Sequence, residues 1–165
     1  MIFGRETVET VWHDALPLMR QHALEVPVVP GLEANPSRPM FELLERSGAM
    51  VIFTSRLPIT WAPGQSGAAE GPRLGALTGY AVFCVAKSPL YPDVGMFAEQ
   101  IVLYVLPAYR GSNAIRFLRW QDERLTALGC AVVLRHSTRH SEYGNSLERM
   151  GYDAHDHGYI RRANA

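Results

Sequence analysis

The sequence predicts an α+β fold: one domain with a mixed, mostly antiparallel sheet, flanking helices and a βαβ crossover over 99–136. Apolar, strand-like stretches at 49–55, 75–87 and 99–106 follow one another across loops, the pattern of an antiparallel meander. The apolar period then becomes helical over 112–128, and a further apolar strand, CAVVLRH, follows at 130–136. Strand, helix and strand in that order make a crossover, so 99–106 and 130–136 are expected to be parallel neighbours. The chain has 165 residues, which fits a single domain spanning 1–165.

In chain order, Val8, Val11, Trp12, Ala15, Met19 and Ala23 recur at steps of three and four, so 7–24 reads as an amphipathic helix. Pro17 inside it is expected to kink or divide the helix. VPVVPGLEANPSRP is an irregular connection. Pro39 opens a second helix, MFELLERS, with Gly48 as its stop. The stretch 56–74, rich in Pro, Gly and Ala, reads as a long inserted loop or arm, and SPLYPDVGM as a second loop. Ile115, Leu118, Leu125 and Leu128 form the apolar face of the crossover helix, ended by Gly129. NSLERM, ended by Gly151, is a last short helix, and 152–162 is a candidate final strand.

Composition excludes several classes. Hydrophobic residues make up 47% and charged residues 19%, which is globular rather than disordered. Basic and acidic residues balance at 16 each, which disfavours a nucleic-acid binder or an anionic-membrane binder. No apolar run approaches the roughly 18 residues of a membrane span. The opening MIFGRETVET lacks the apolar centre of a secretory signal, and Cys84 and Cys130 cannot make a disulfide framework. A cytoplasmic setting is the expectation, with both cysteines as small core residues.

The chemistry concentrates in EQIVLYVLPAYRGSNAIRFL, residues 99–118. A strand ends at Pro107, a tight Arg110-Gly111-Ser112-Asn113 turn follows, and a helix begins. The first turn of a helix carries unpaired N–H groups and partial positive charge. Small residues in the turn let a ligand approach, so the junction suits a phosphate or diphosphate, with Arg110 able to add a charge-assisted contact.

Val105-Leu106-Pro107-Ala108-Tyr109-Arg110-Gly111-Ser112-Asn113-Ala114-Ile115 resembles the V-x-P-x-x-(R/Q)-G-x-G-x-(G/A) signature of the GNAT superfamily, the Gcn5-related N-acetyltransferases. LERMGY at 147–152 is similar to that family's YEKLGF ending. The resemblance implies a GNAT-like domain that binds acetyl-CoA as co-substrate. The diphosphate would lie on the amides of Arg110, Gly111, Ser112, Asn113, Ala114 and Ile115, and the pantetheine along Leu103, Tyr104 and Val105. Asn113 and Ile115 depart from the family's small residues, and Ile115 is expected either to crowd the coenzyme or to point into the core.

Glu99 stands 11 positions before Arg110, the spacing of a glutamate base in the histone-acetylating branch, and FAEQIVL is similar to that branch's FAEIVF. It is the candidate general base; the plain alternative is a solvated acid at a strand start. The family's usual acid, a tyrosine, is replaced by Leu147, which leaves Tyr143 and Ser146 as substitutes. The implied reaction is acetyl transfer to a primary amine, on a small molecule or a protein. The rival reading is a GNAT-fold structural or binding protein without catalysis, such as a bacteriophage virion component.

His136 with His140, and His155 with His157, have the outward spacing of metal ligands, but nothing in the sequence brings three or four ligands together, so no metal is expected. His13 and His22 read as helix-surface residues. Arg135, His136, Arg139 and His140 read as a solvated basic loop or as a contact for the coenzyme's 3′-phosphate. Trp61 in the 56–74 arm reads as part of a flexible loop, a substrate lid or a docking arm for a second copy or another protein.

Overall fold

The computed structural model describes residues 1–26, 34–59, 74–136 and 143–154. Their elements run β1 (Ile2–Glu6), α1 (Val8–Glu25), α2 (Arg38–Arg46), β2 (Met50–Pro58), β3 (Leu74–Lys87), β4 (Met96–Val105), α3 (Ser112–Ala127), β5 (Cys130–Leu134) and α4 (Tyr143–Arg149). One five-stranded sheet has the order β1-β2-β3-β4-β5; the first three pairings are antiparallel and β4–β5 is parallel. This is the expected α+β architecture with its crossover. No helix among the described residues is long and apolar enough to cross a membrane.

The sheet separates two cores. On one face α1 and α2 pack Val8, Val11, Trp12, Ala15 and Met19 against Ile52, Tyr80, Val82 and Tyr104. On the other, α3 packs Phe117 and Leu125 against Phe53, Phe83 and Ala98. The helical spacing read in the sequence is therefore the buried stripe of α1, and Ala23 lies at its margin.

Several boundaries differ from expectation. Pro17 does not divide α1, which is continuous across it. The carbonyl that loses its partner belongs to His13, and both residues are exposed, so water can satisfy it. β1 was not expected: IFGRE carries a glycine and two charges and has no clean alternation. It forms because Phe3 packs on Phe117 and Glu6 joins a buried ion network. The strands β2 and β4 are also longer than the sequence suggests. Arg56, Leu57 and Pro58 belong to β2 and Leu74 to β3, not to an arm over 56–74. The rest of that arm, 60–73 with Trp61, lies outside the described residues, as do 155–162 of the candidate final strand.

Arg56 explains part of the β2 extension. A charged residue in a Pro-rich context looks solvated, yet its side chain is 6% exposed and pairs with Glu6, itself 9% exposed, at 2.7 Å. It also reaches Asp14 of α1 at 2.7 Å and the Gly75 carbonyl at 3.0 Å. One guanidinium thus ties β1, α1, β2 and β3 together. Glu45 of α2 makes a second cross-tie, accepting the Val8 amide at the start of α1 at 3.1 Å. Arg56→Met should cost about 3–5 kcal/mol in urea unfolding, because Glu6 is left buried without its cation. Arg56→Met with Glu6→Gln should recover most of that loss. A single-variant loss below about 1 kcal/mol would contradict a buried network.

Candidate functional site

The parallel ladder between β4 and β5 is short. Its four rungs are Met96–Cys130, Phe97–Val132, Ala98–Val133 and Glu99–Leu134. Beyond Glu99 the strands part, and β4 runs on to Val105 with no strand on that edge among the described residues. Side chains fill the vertex of this fork. Gln100 donates to the His136 carbonyl at 3.4 Å and accepts from Arg135 at 2.8 Å. Arg135 also reaches Gln121 at 3.0 Å, Asp122 at 2.5 Å and the Tyr152 hydroxyl at 2.9 Å. Its side chain is 0% exposed, and its guanidinium lies over the Phe83 ring. Arg135 is therefore neither part of a solvated loop nor a phosphate contact; β5 carries it straight into the sheet–helix interface.

A β-bulge follows. Phe83 pairs with Gln100 and Val82 with Val102, so Ile101 is the extra residue. Side chains two apart normally share a face. Here Gln100 faces the α3 side with Phe83 and Arg135, whereas Val102 and Tyr104 face α1.

After β4 a 3₁₀ turn, Pro107–Tyr109, leads to Gly111 at the head of α3. Gly111 has φ of 77°, a region costly for any residue with a Cβ. No side chain caps α3 among the described residues. The amides of Gly111, Ser112, Asn113 and Ala114 have no acceptor among those residues. Arg110 N–H instead donates to the Pro107 carbonyl at 3.3 Å and Ile115 N–H to the Gly111 carbonyl at 3.1 Å. The expected cradle of 110–115 narrows to these four amides. Arg110 is committed elsewhere too: it donates to the Val105 carbonyl at 2.9 Å and pairs with Glu25 at 2.5 Å. Glu25 offers a fixed carboxylate from the end of α1, so Arg110 binds within the protein rather than serving as a free phosphate contact. The Val105 carbonyl is likewise occupied, which leaves Gln100–Tyr104 as the open length of β4.

Glu99 sits on the last rung rather than at a strand start, because β4 begins at Met96. Its side chain is 51% exposed and meets His136 Nε2 at 3.1 Å. Ile115 does not plug the cradle. It lines a 210 Å³ cleft between α3 and α4 with Arg119, Ser146, Arg149 and Met150. Leu147 is 7% exposed and packs as a core residue. Tyr143 opens α4, one continuous turn before Leu147; its side chain lies outside the described residues.

Solved structures share this arrangement over nearly their whole length. A ribosomal-protein-alanine N-acetyltransferase from Brucella melitensis biovar Abortus 2308 superposes with a TM-score of 0.66 at 16% identity, covering 98% of this chain and 99% of that one. A probable acetyltransferase gives 0.68 at 16% identity, covering 100% and 99%. An aminoglycoside acetyltransferase from an uncultured soil metagenomic sample, in complex with sisomicin, gives 0.63 at 10% identity, covering 99% and 95%. The chain has the GNAT fold. No protein-family model and no curated protein matches the sequence.

Within the GNAT fold, the cluster that sequence reasoning missed joins α1 to β4. His22 is not a surface residue: its ring stacks on Tyr104 with centroids 5.0 Å apart, and Nδ1 lies 3.5 Å from the Tyr80 hydroxyl. Tyr104 donates to Glu25 at 2.6 Å, and Glu25 holds Arg110. Burial, then the Glu25 carboxylate, push the Tyr104 hydroxyl up to about 12. The hydrogen bond from Tyr104, then that from Arg110, hold Glu25 below the usual carboxylate value. The available signal was spacing: His22 and Glu25 lie three apart on a helix whose next stripe is apolar. His13 is exposed, as expected.

Both thiols are pushed up by burial, Cys84 further by the Glu99 carboxylate, which does not favour a nucleophile. No group of three potential metal ligands occurs among the described residues. Arg139, His140, His155 and His157 lie outside them.

Burial holds the His22 pKa below 6.5, opposed by Glu25 and reinforced by Arg110. The folded chain then resists protonation that the unfolded chain accepts. His22 should leave stability undiminished above 6.5 and lower it as pH falls through the folded value. Urea unfolding across that range should show a steeper acid loss in the wild type than in His22→Gln. Equal slopes would contradict a half-buried neutral imidazole facing Tyr80, Tyr104, Glu25 and Arg110.

Proposed function

We propose that the protein is an N-acetyltransferase that moves an acetyl group from acetyl-CoA to a primary amine by direct attack. The observation that carries this reading is the pairing of two open main-chain surfaces. One is the β4 edge over Gln100–Tyr104; the other is the run of uncapped amides at Gly111–Ala114. The first suits an extended amide-bearing chain and the second a diphosphate. The family of folds to which the chain belongs supports the same use.

The coenzyme supplies the acetyl group as a thioester with a thiolate leaving group. The α3 amides would hold its diphosphate, and β4 would align the thioester against the acceptor. The amine nitrogen bonds to the carbonyl carbon as the carbon–sulfur bond breaks, and the nitrogen loses a proton. Glu99 is our candidate to take that proton. It lies at the vertex of the fork, half in solvent, with His136 Nε2 at 3.1 Å. The buried Leu147 supplies no acid, and a thiolate can leave without one. Most of the rate enhancement would then come from proximity and main-chain alignment.

Titration calorimetry should show micromolar binding of acetyl-CoA. Gly111→Glu should weaken it by at least about 100-fold, since the change strains a positive φ and sets a negative charge at a helix N-terminus. Absent or millimolar binding by the wild type would contradict the transferase reading. Thiol release should be assayed with peptide N-terminal amines and aminoglycosides as acceptors. On whichever acceptor turns over, Glu99→Gln should lower kcat by about 10²-fold or more with unchanged coenzyme affinity. An unchanged kcat removes Glu99 from the mechanism.

A further inference from the structure

We infer that the groove between β1 and the C-terminal half of α3 is a second ligand site, built for a planar aromatic ring bearing a carboxylate. The groove has a volume of 390 Å³, within the range of small-molecule sites. Phe3 and Trp120 form its apolar walls over the fully buried Phe53, and Arg5 and Arg124 stand at its rim. The local structure brings these five residues together. Phe3 and Arg5 lie two apart on a strand and share a face, while Trp120 and Arg124 lie four apart on a helix and share a stripe.

The charges make the groove selective. Arg38, Arg56, Arg110 and Arg135 each hold a carboxylate of the protein. Arg5 and Arg124 hold none among the described residues, as is also true of Arg20, Arg46, Arg116, Arg119 and Arg149; what sets these two apart is that they flank aromatic side chains in a groove lined by no Asp or Glu. Both are exposed cations beside an aromatic wall. The Arg124 guanidinium is 5.5 Å from the centroid of the Trp120 ring, so an anion that meets Arg124 lies next to the indole. Trp120 stands nearly perpendicular to Phe53, with centroids 5.4 Å apart, and at 5.9 Å from Phe3. Flat, edge-bearing walls favour a ring over an aliphatic chain. A neutral ring would leave both cations unused, and a small inorganic anion would leave the aromatic walls uncovered.

This site is separate from the α3 cradle. Arg124 lies about 18 Å along the helix from Ser112 at about 1.5 Å per residue. β1 and β4 occupy different places in the sheet, with β2 and β3 between them. The inference therefore does not rest on acetyl transfer.

The probe is 1-naphthoate, with 1-naphthalenemethanol as the neutral ring of similar size. Both are titrated into the full chain by calorimetry. Amide and indole resonances are followed by NMR, and Trp120→Phe serves to assign the Trp120 indole N–H. Saturable naphthoate binding that shifts the Trp120 resonance is expected, with the alcohol at least about tenfold weaker. Arg5→Gln with Arg124→Gln should weaken naphthoate by about tenfold and leave the alcohol unchanged. Both arginines are exposed, so the thermal midpoint of the double variant serves as a check on folding. Adding coenzyme A should not displace the naphthoate. Four results would each overturn the proposal: no saturable binding, equal affinity for the acid and the alcohol, displacement of the naphthoate by coenzyme A, or a folded double variant that binds naphthoate as the wild type does.

Discussion

The buried guanidinium of Arg135 is the contact on which the site's geometry depends. Main-chain pairing between β4 and β5 ends at Glu99–Leu134, and parting strands would normally leave unsatisfied donors and acceptors. Here Gln100 spans the gap to the His136 carbonyl, and Arg135 locks Gln100 to Gln121 and Asp122 of α3. A buried cation gives little net stability after its desolvation, but it tolerates few geometries. That fits a device for fixing an angle between strands more than one for raising stability. Among the described residues Gln121 Nε2 is the one buried side-chain polar atom without a hydrogen-bond partner.

The rest of the site follows from that fork. Because β5 departs, β4 has no partner on that edge beyond Glu99 among the described residues, and the bulge at Ile101 turns its later side chains toward α1. Because β4 ends in a 3₁₀ turn and a positive-φ glycine, α3 starts with amides that have no acceptor among the described residues. The same turn delivers Arg110 to Glu25, which carries Tyr104 and sits beside His22. The end of α1 and the turn before α3 are thereby joined through the Glu25 carboxylate. Arg56 plays the corresponding role at the far end of the sheet, where one charge holds four elements.

Much of this was legible in the sequence where local pattern and tertiary packing agree. α3 and β3 fall almost where their periodicity and stop residues put them, and the strand–turn–helix junction at Gly111 was visible from small residues alone. The exceptions share one cause. Arg56, Arg110, Arg135 and His22 are polar residues whose sequence neighbourhoods look solvated, and each acquires its partner from an element at least a dozen residues away. Neither charge nor spacing shows such a partner. β1 escaped for the same reason, since its stability comes from Phe117 and Arg56 rather than from its own alternation. Ile115 was read as a possible obstruction because a motif gives position but not side-chain direction, and the helix turns it toward α4.

The central claim is that main-chain groups at the head of α3 and along β4 stand open to a ligand. Hydrogen exchange of individual amides, followed by NMR with and without coenzyme A, tests it most directly. The account predicts that Gly111, Ser112, Asn113 and Ala114 exchange freely in the unliganded chain and become protected when coenzyme A is added. Protection already present without ligand, or none gained on its addition, would contradict it.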